Sequence, residues 1–120
     1  MNLLGDSRTN PKEAERRRYD RYAVRCDCWL ERDDAAVYGP TADLGLGGLF
    51  LRTAIPMHHG QRVEVALSVE SAGTPVVARG VVTRTVPAQH GRRHGVGVQF
   101  LEFVDGRDSL QRFLKARPRA

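Results

Sequence analysis

Four arginines, Arg16, Arg17, Arg18 and Arg21, crowd into one short stretch, and Asp43 opens a glycine-dense segment, Asp43-Leu44-Gly45-Leu46-Gly47-Gly48. A guanidinium is planar, permanently charged and forked, so it grips phosphate oxygens in pairs, reads the O6/N7 edge of guanine and stacks on purine faces. A carboxylate supplies the complementary half by accepting from the ring N–H and amino group of guanine. Glycines beside it let a ligand approach the backbone closely. A guanine nucleotide with several phosphates or phosphodiesters satisfies both sets at once.

Other chemistry finds little support. Catalysis needs a nucleophile with its base, two carboxylates with separated pKa values or a metal cluster, and no such constellation stands out, so no enzymatic activity is expected. His58 and His59 fall in a Pro/Gly loop. His90 and His94 share a spacing that would matter on a helix but sit in a Gly-Arg-Arg loop. Without acidic or thiolate partners they read as solvated histidines, and no metal is expected. Cys26 and Cys28 are the only cysteines. On one strand face they would stand roughly 6.6–7 Å apart, too far to cross-link without distortion, so they read as reduced core thiols. Arg92 and Arg93 read as loop charge.

The elements that position these residues are mostly strands. From Arg21 to Glu31 the alternation puts Tyr22, Val24, Cys26, Cys28 and Leu30 on one face. A weaker strand, Ala36 to Ala42, is interrupted by Gly39-Pro40, which suggests an edge or a bulge. Further strands are predicted at Leu49–Thr53, at Arg62–Val69, at Val76–Val86 with a bend at Gly80, and from Val96 to Phe103. Asp105–Ser109 then supplies helix-start residues for a short helix with Leu110, Phe113 and Leu114 inward. The pattern predicts a mainly β fold, a small six-stranded antiparallel barrel. The expected organisation is a mobile arm over 1–15, a barrel over 16–104, and a C-terminal helix and tail over 105–120.

The 120 residues carry 19 Lys+Arg against 14 Asp+Glu, a net +5. Lys12 and Lys115 are the only lysines; the remaining seventeen are arginines. Without Arg16, Arg17, Arg18 and Arg21 the net charge would fall from +5 to +1, so the basic bias is local and points to a small dianionic ligand more than to a polymer. No apolar run reaches the roughly 18 residues of a membrane span, and the start lacks signal-peptide features, so no membrane insertion and a cytoplasmic location are expected. An RNA-binding small barrel remains a rival on charge. It needs exposed stacking aromatics, whereas Phe50, Phe100 and Phe113 read as packing residues.

From about Glu15 to Phe103 the sequence resembles the PilZ domain, a bacterial receptor module for cyclic di-GMP. Arg17-Arg18-Tyr19-Asp20-Arg21 matches the family's RxxxR motif, with Arg16 as an additional preceding arginine. Asp43-Leu44-Gly45-Leu46-Gly47-Gly48 matches [D/N]xSxxG except that Gly45 stands in place of the serine, and Gly95–Leu101 looks like the closing strand. The resemblance implies that Arg17 and Arg21 grip phosphates and guanine, that Arg16 and Arg18 add contacts, and that Asp43 holds a guanine edge. The resemblance further implies that Gly48 permits the turn and that Arg84 lies near the base. The missing hydroxyl is worth about three- to tenfold in affinity, so Gly45→Ser is expected to tighten binding several-fold. Arg17→Ala or Arg21→Ala is expected to abolish binding with the melt almost unchanged. The implied mechanism is ordering of the arginine arm over the ligand, with an intercalated ligand dimer compatible with Arg16, to make a surface for a protein effector in motility or exopolysaccharide regulation. A degenerate adaptor that binds protein partners without nucleotide is the alternative, favoured by Gly45.

Overall fold

A computed structural model describes residues 20–33, 35–69 and 75–117. Six strands follow in chain order: β1 (Asp27–Arg32), β2 (Ala35–Leu44), β3 (Gly48–Thr53), β4 (Arg62–Ser68), β5 (Val76–Val86) and β6 (His94–Asp105). Every pairing is antiparallel. The strands close into a barrel in the order β1-β2-β3-β6-β5-β4, with β4 returning to β1 through Leu30↔Val65 and Cys28↔Leu67. Closure removes the unpaired sheet edges that an open sheet of this size would present to other chains.

The period-two pattern becomes an inside and an outside. Cys28, Leu30, Leu49, Leu51, Val65, Leu67, Val82, Val96 and Val98 fill the barrel, each essentially sealed from solvent. Each such side chain contributes about 1.5–3 kcal/mol by leaving water. A short helix, α1 (Arg107–Lys115), adds Leu110, Phe113 and Leu114 to the same core. Its N-cap is Gly106, within the Asp105–Ser109 cluster, and no side chain supplies a cap bond there. Cys26 and Cys28 are buried in the core and form no disulfide, and burial, reinforced by Cys26, pushes the Cys28 thiol up to about 12.

Two sequence expectations change in detail. The burial alternation begins at Val24, but continuous ladder pairing begins only at Asp27, and Tyr22 is held by an isolated bridge to Leu44. The second strand is longer than its Gly39-Pro40 pair suggested and runs unbroken from Ala35 to Leu44. Its pairing with β3 starts at Thr41↔Leu51, so Pro40 stands where that ladder ends and a missing N–H costs least. The register shift that Pro40 hinted at follows directly, between Thr41 and Asp43. At Gly80, where the sequence suggests a bend, the register of β5 against β6 shifts between Arg79 and Gly80. The turn expected around Ser71–Pro75 lies largely outside the described residues.

Candidate functional site

The irregularity in β2 decides where Asp43 points. Val37, Gly39 and Thr41 face inward, and strict alternation would send Asp43 after them into the core. A bulge adds one residue to the strand and reverses the phase. Ala42 and Asp43 both turn outward, and Leu44 takes the inward position fully buried. A carboxylate that would be costly inside the barrel is thereby delivered to its surface.

Residues 21–26 run beside this bulge and carry Arg21 to it. Tyr22 donates its N–H to the Leu44 carbonyl at 2.9 Å and accepts from Leu44 at 3.0 Å. Buried Thr41 fastens the same segment, since its hydroxyl accepts from the Cys26 N–H at 2.9 Å and donates to the Val24 carbonyl at 2.6 Å. Arg21 Nη1 then meets Asp43 Oδ1 at 2.5 Å, with both side chains about one-third exposed (33% and 34%). Thr41→Val keeps the volume but strands a buried donor and a buried acceptor, a cost of about 1–3 kcal/mol. Its thermal midpoint is expected to drop by about 5–10 °C in a calorimetric scan.

The glycine turn closes on the other side of Asp43. The Gly45 N–H donates to the Gly48 carbonyl, and the Phe100 N–H to Gly47, both at 2.9 Å. Two of these glycines are set by close approach. A Cβ on Gly45 would stand 2.3 Å from the Asp20 carbonyl oxygen, and one on Gly48 would stand 2.1 Å from that of Val98. Backbone therefore lies flush on backbone at both ends of the turn.

Arg84 joins the same outer face. Register links Asp43 to Phe50, Phe50 to Gly97, and Gly97 to Arg84, a row across β2, β3, β6 and β5. Three strand spacings separate its ends, about 14 Å.

The sequence matches the PilZ domain over residues 15–116. The chain belongs to the PilZ domain family. The fold agrees with solved structures. The Bacillus subtilis inhibitor of motility, MotI/DgrA, superposes with a TM-score of 0.71 at 15% identity, over 84% of this chain and 50% of that one. The PilZ domain of YcgR from Escherichia coli, solved with c-di-GMP, superposes with a TM-score of 0.64 at 18% identity, over 85% of this chain and 91% of that one. The chain thus spans about half the length of the Bacillus protein. Comparison with curated proteins found no match.

Of the residues singled out in this PilZ domain by sequence, the structure brings Arg21, Asp43, Gly45 and Gly48 together, with Arg84 farther along the row. Arg16, Arg17 and Arg18 lie outside the described residues. His58, His59 and His90 are exposed and His94 half-buried, and among the described residues no three His, Cys, Asp or Glu side chains gather as metal ligands. No helix among them is long and apolar enough to cross a membrane.

Two corrections follow. Gly45 is a packing requirement as well as a missing hydroxyl, because the chain at Asp20 occupies the space a side chain would need. Phe50 is not a core residue. It stands half-buried on the outer face, beside Arg52 and Arg84, while Phe100 and Phe113 are buried as expected. The signal was present in Leu49-Phe50-Leu51-Arg52-Thr53, where strict alternation sets Phe50 with Arg52, opposite the leucines.

Proposed function

We propose that this PilZ domain is a cyclic di-GMP receptor and adaptor that signals through protein contacts and carries out no catalysis. The observation that carries the reading is the Arg21–Asp43 pair, set at the barrel surface beside the Gly45–Gly48 turn. One guanidinium nitrogen is engaged by Asp43 Oδ1, so the remaining N–H groups and Oδ2 offer donors and an acceptor side by side. That is the combination a guanine nucleotide needs. The solved YcgR domain with c-di-GMP supports the choice of ligand.

In this reading Arg17 and Arg21 hold phosphate and guanine, Arg16 and Arg18 add contacts, and Asp43 accepts from a guanine edge. Four neighbouring cations repel one another when no ligand is present, and a dianionic ligand neutralises them. The Arg-rich segment is then drawn over the site, creating a new surface for a protein effector in the cytoplasm. Arg16 favours an intercalated ligand dimer.

The test is isothermal titration with cyclic di-GMP, using GMP as control. Saturable heat is expected with a dissociation constant of about ten micromolar or tighter, some 7 kcal/mol of binding energy. No heat at tens of micromolar ligand would overturn the receptor reading. It would leave the adaptor that binds partners without nucleotide, the reading that Gly45 favours.

A further inference from the structure

Phe50 is the meeting point of two guanidinium groups. Arg84 Cζ lies 5.2 Å and Arg52 Cζ 5.4 Å from its ring centroid, both within cation–π range. The ring is fixed from below, since a Cβ on Gly95 would stand 2.3 Å from its Cζ. The Arg84 stem runs over Gly97, where a Cβ would meet Arg84 Cβ at 3.0 Å. Arg52 is anchored at one nitrogen, with Nη1 donating to the Arg93 carbonyl at 3.0 Å. Among the described residues neither arginine forms an ion pair. Two permanent charges are thus held on one aromatic pedestal, with no carboxylate of the described residues paired to them.

The pedestal belongs to the same row as Asp43. Phe50 is its direct cross-strand neighbour, and Arg84 stands two strands farther on. A ligand whose first base sits at Arg21 and Asp43 has its other half directed along this face. Guanidinium planes stack on bases and add charge that a phosphate also meets.

We propose that Phe50, Arg52 and Arg84 form a second purine subsite. Arg84 presents its plane to the base, and Arg52 presents its free N–H groups to the base edge or phosphate. Phe50 is the positioning residue that holds both. The inference rests on the cyclic di-GMP reading and adds residues on β3 to it. The purine is either the second base of the same dinucleotide or a base of a second ligand molecule.

Calorimetric titration of the full chain and of Phe50→Leu, Phe50→Tyr and Arg52→Gln separates the possibilities. Phe50→Leu keeps apolar bulk and loses the π face, so cyclic di-GMP affinity is expected to fall about tenfold. Phe50→Tyr restores the face and is expected to stay within about twofold of the parent. Arg52→Gln is expected to weaken cyclic di-GMP by about three- to tenfold. Reduced affinity at unchanged stoichiometry assigns the second base of one ligand. Loss of one equivalent, with the remaining affinity retained, assigns a second ligand molecule. Phe50→Leu that binds cyclic di-GMP like the parent, or Phe50→Tyr that fails with it, overturns the subsite. A parent chain that gives no heat overturns the functional reading itself.

Discussion

Arg21→Ala is expected to lower cyclic di-GMP affinity at least a hundredfold while moving the thermal midpoint by less than about 4 °C. Hydrogen bonds from a charged group are each worth about 1.5–3 kcal/mol, and a forked contact loses two of them. At about 1.4 kcal/mol per decade that already spans two orders of magnitude. The substitution also leaves Asp43 without its cation at a place where phosphates must approach, so the site loses part of its attraction for the ligand. Stability responds differently because both partners are one-third exposed, and a solvent-screened pair contributes about 0–1 kcal/mol. Arg25 provides the control. It stands four residues beyond Arg21, repeating the RxxxR spacing, but is exposed on the segment leading into β1. Arg25→Ala is expected to bind as the parent does. Titration calorimetry paired with a melt decides the matter: an Arg21→Ala chain with parental affinity would reduce the Arg21–Asp43 contact to an ordinary surface ion pair.

Much of this arrangement was legible in the sequence because its causes are local. Period-two burial from Val24 to Leu30, glycine and proline at the turns, and the i, i+3, i+4 spacing of Leu110, Phe113 and Leu114 each reflect a rule acting over a few residues. Asp43 beside glycines was visible for the same reason. What stayed hidden depends on phase and proximity. Pro40 announced an irregularity, but only the register between β2 and β3 shows that the irregularity turns Asp43 out of the core. Thr41 looked like any strand threonine, yet its hydroxyl fastens the Arg21-bearing segment from two sides. Residue type alone assigns Phe50 to packing, whereas its own alternation places it outside. Composition says how many aromatics a core can use; face decides which of them it receives.

Proximity also reverses the expectation for Gly45. Reasoning from the missing hydroxyl alone, Gly45→Ser should tighten binding about three- to tenfold. In the structure the new Cβ would lie 2.3 Å from the Asp20 carbonyl oxygen, and contacts below 3.0 Å are not sustained by real Cβ atoms. The obstacle is backbone, which no rotamer change relieves. Residues 20 and 21 must therefore recede, stretching the paired Tyr22–Leu44 hydrogen bonds and carrying Arg21 away from Asp43. Overpacking of this kind costs about 1–3 kcal/mol, against about 0.5–1.5 kcal/mol for one neutral hydrogen bond. The steric term wins, and Gly45→Ser is expected to bind cyclic di-GMP about tenfold more weakly and to melt several degrees lower. Gly45→Ala isolates the cause, because it carries the same Cβ without the hydroxyl. It should weaken binding at least as much, and whatever margin serine holds over alanine measures the hydroxyl itself. A serine chain that binds more tightly than the parent would mean that the segment recedes freely, and that its close seating on Gly45 plays no part in holding Arg21.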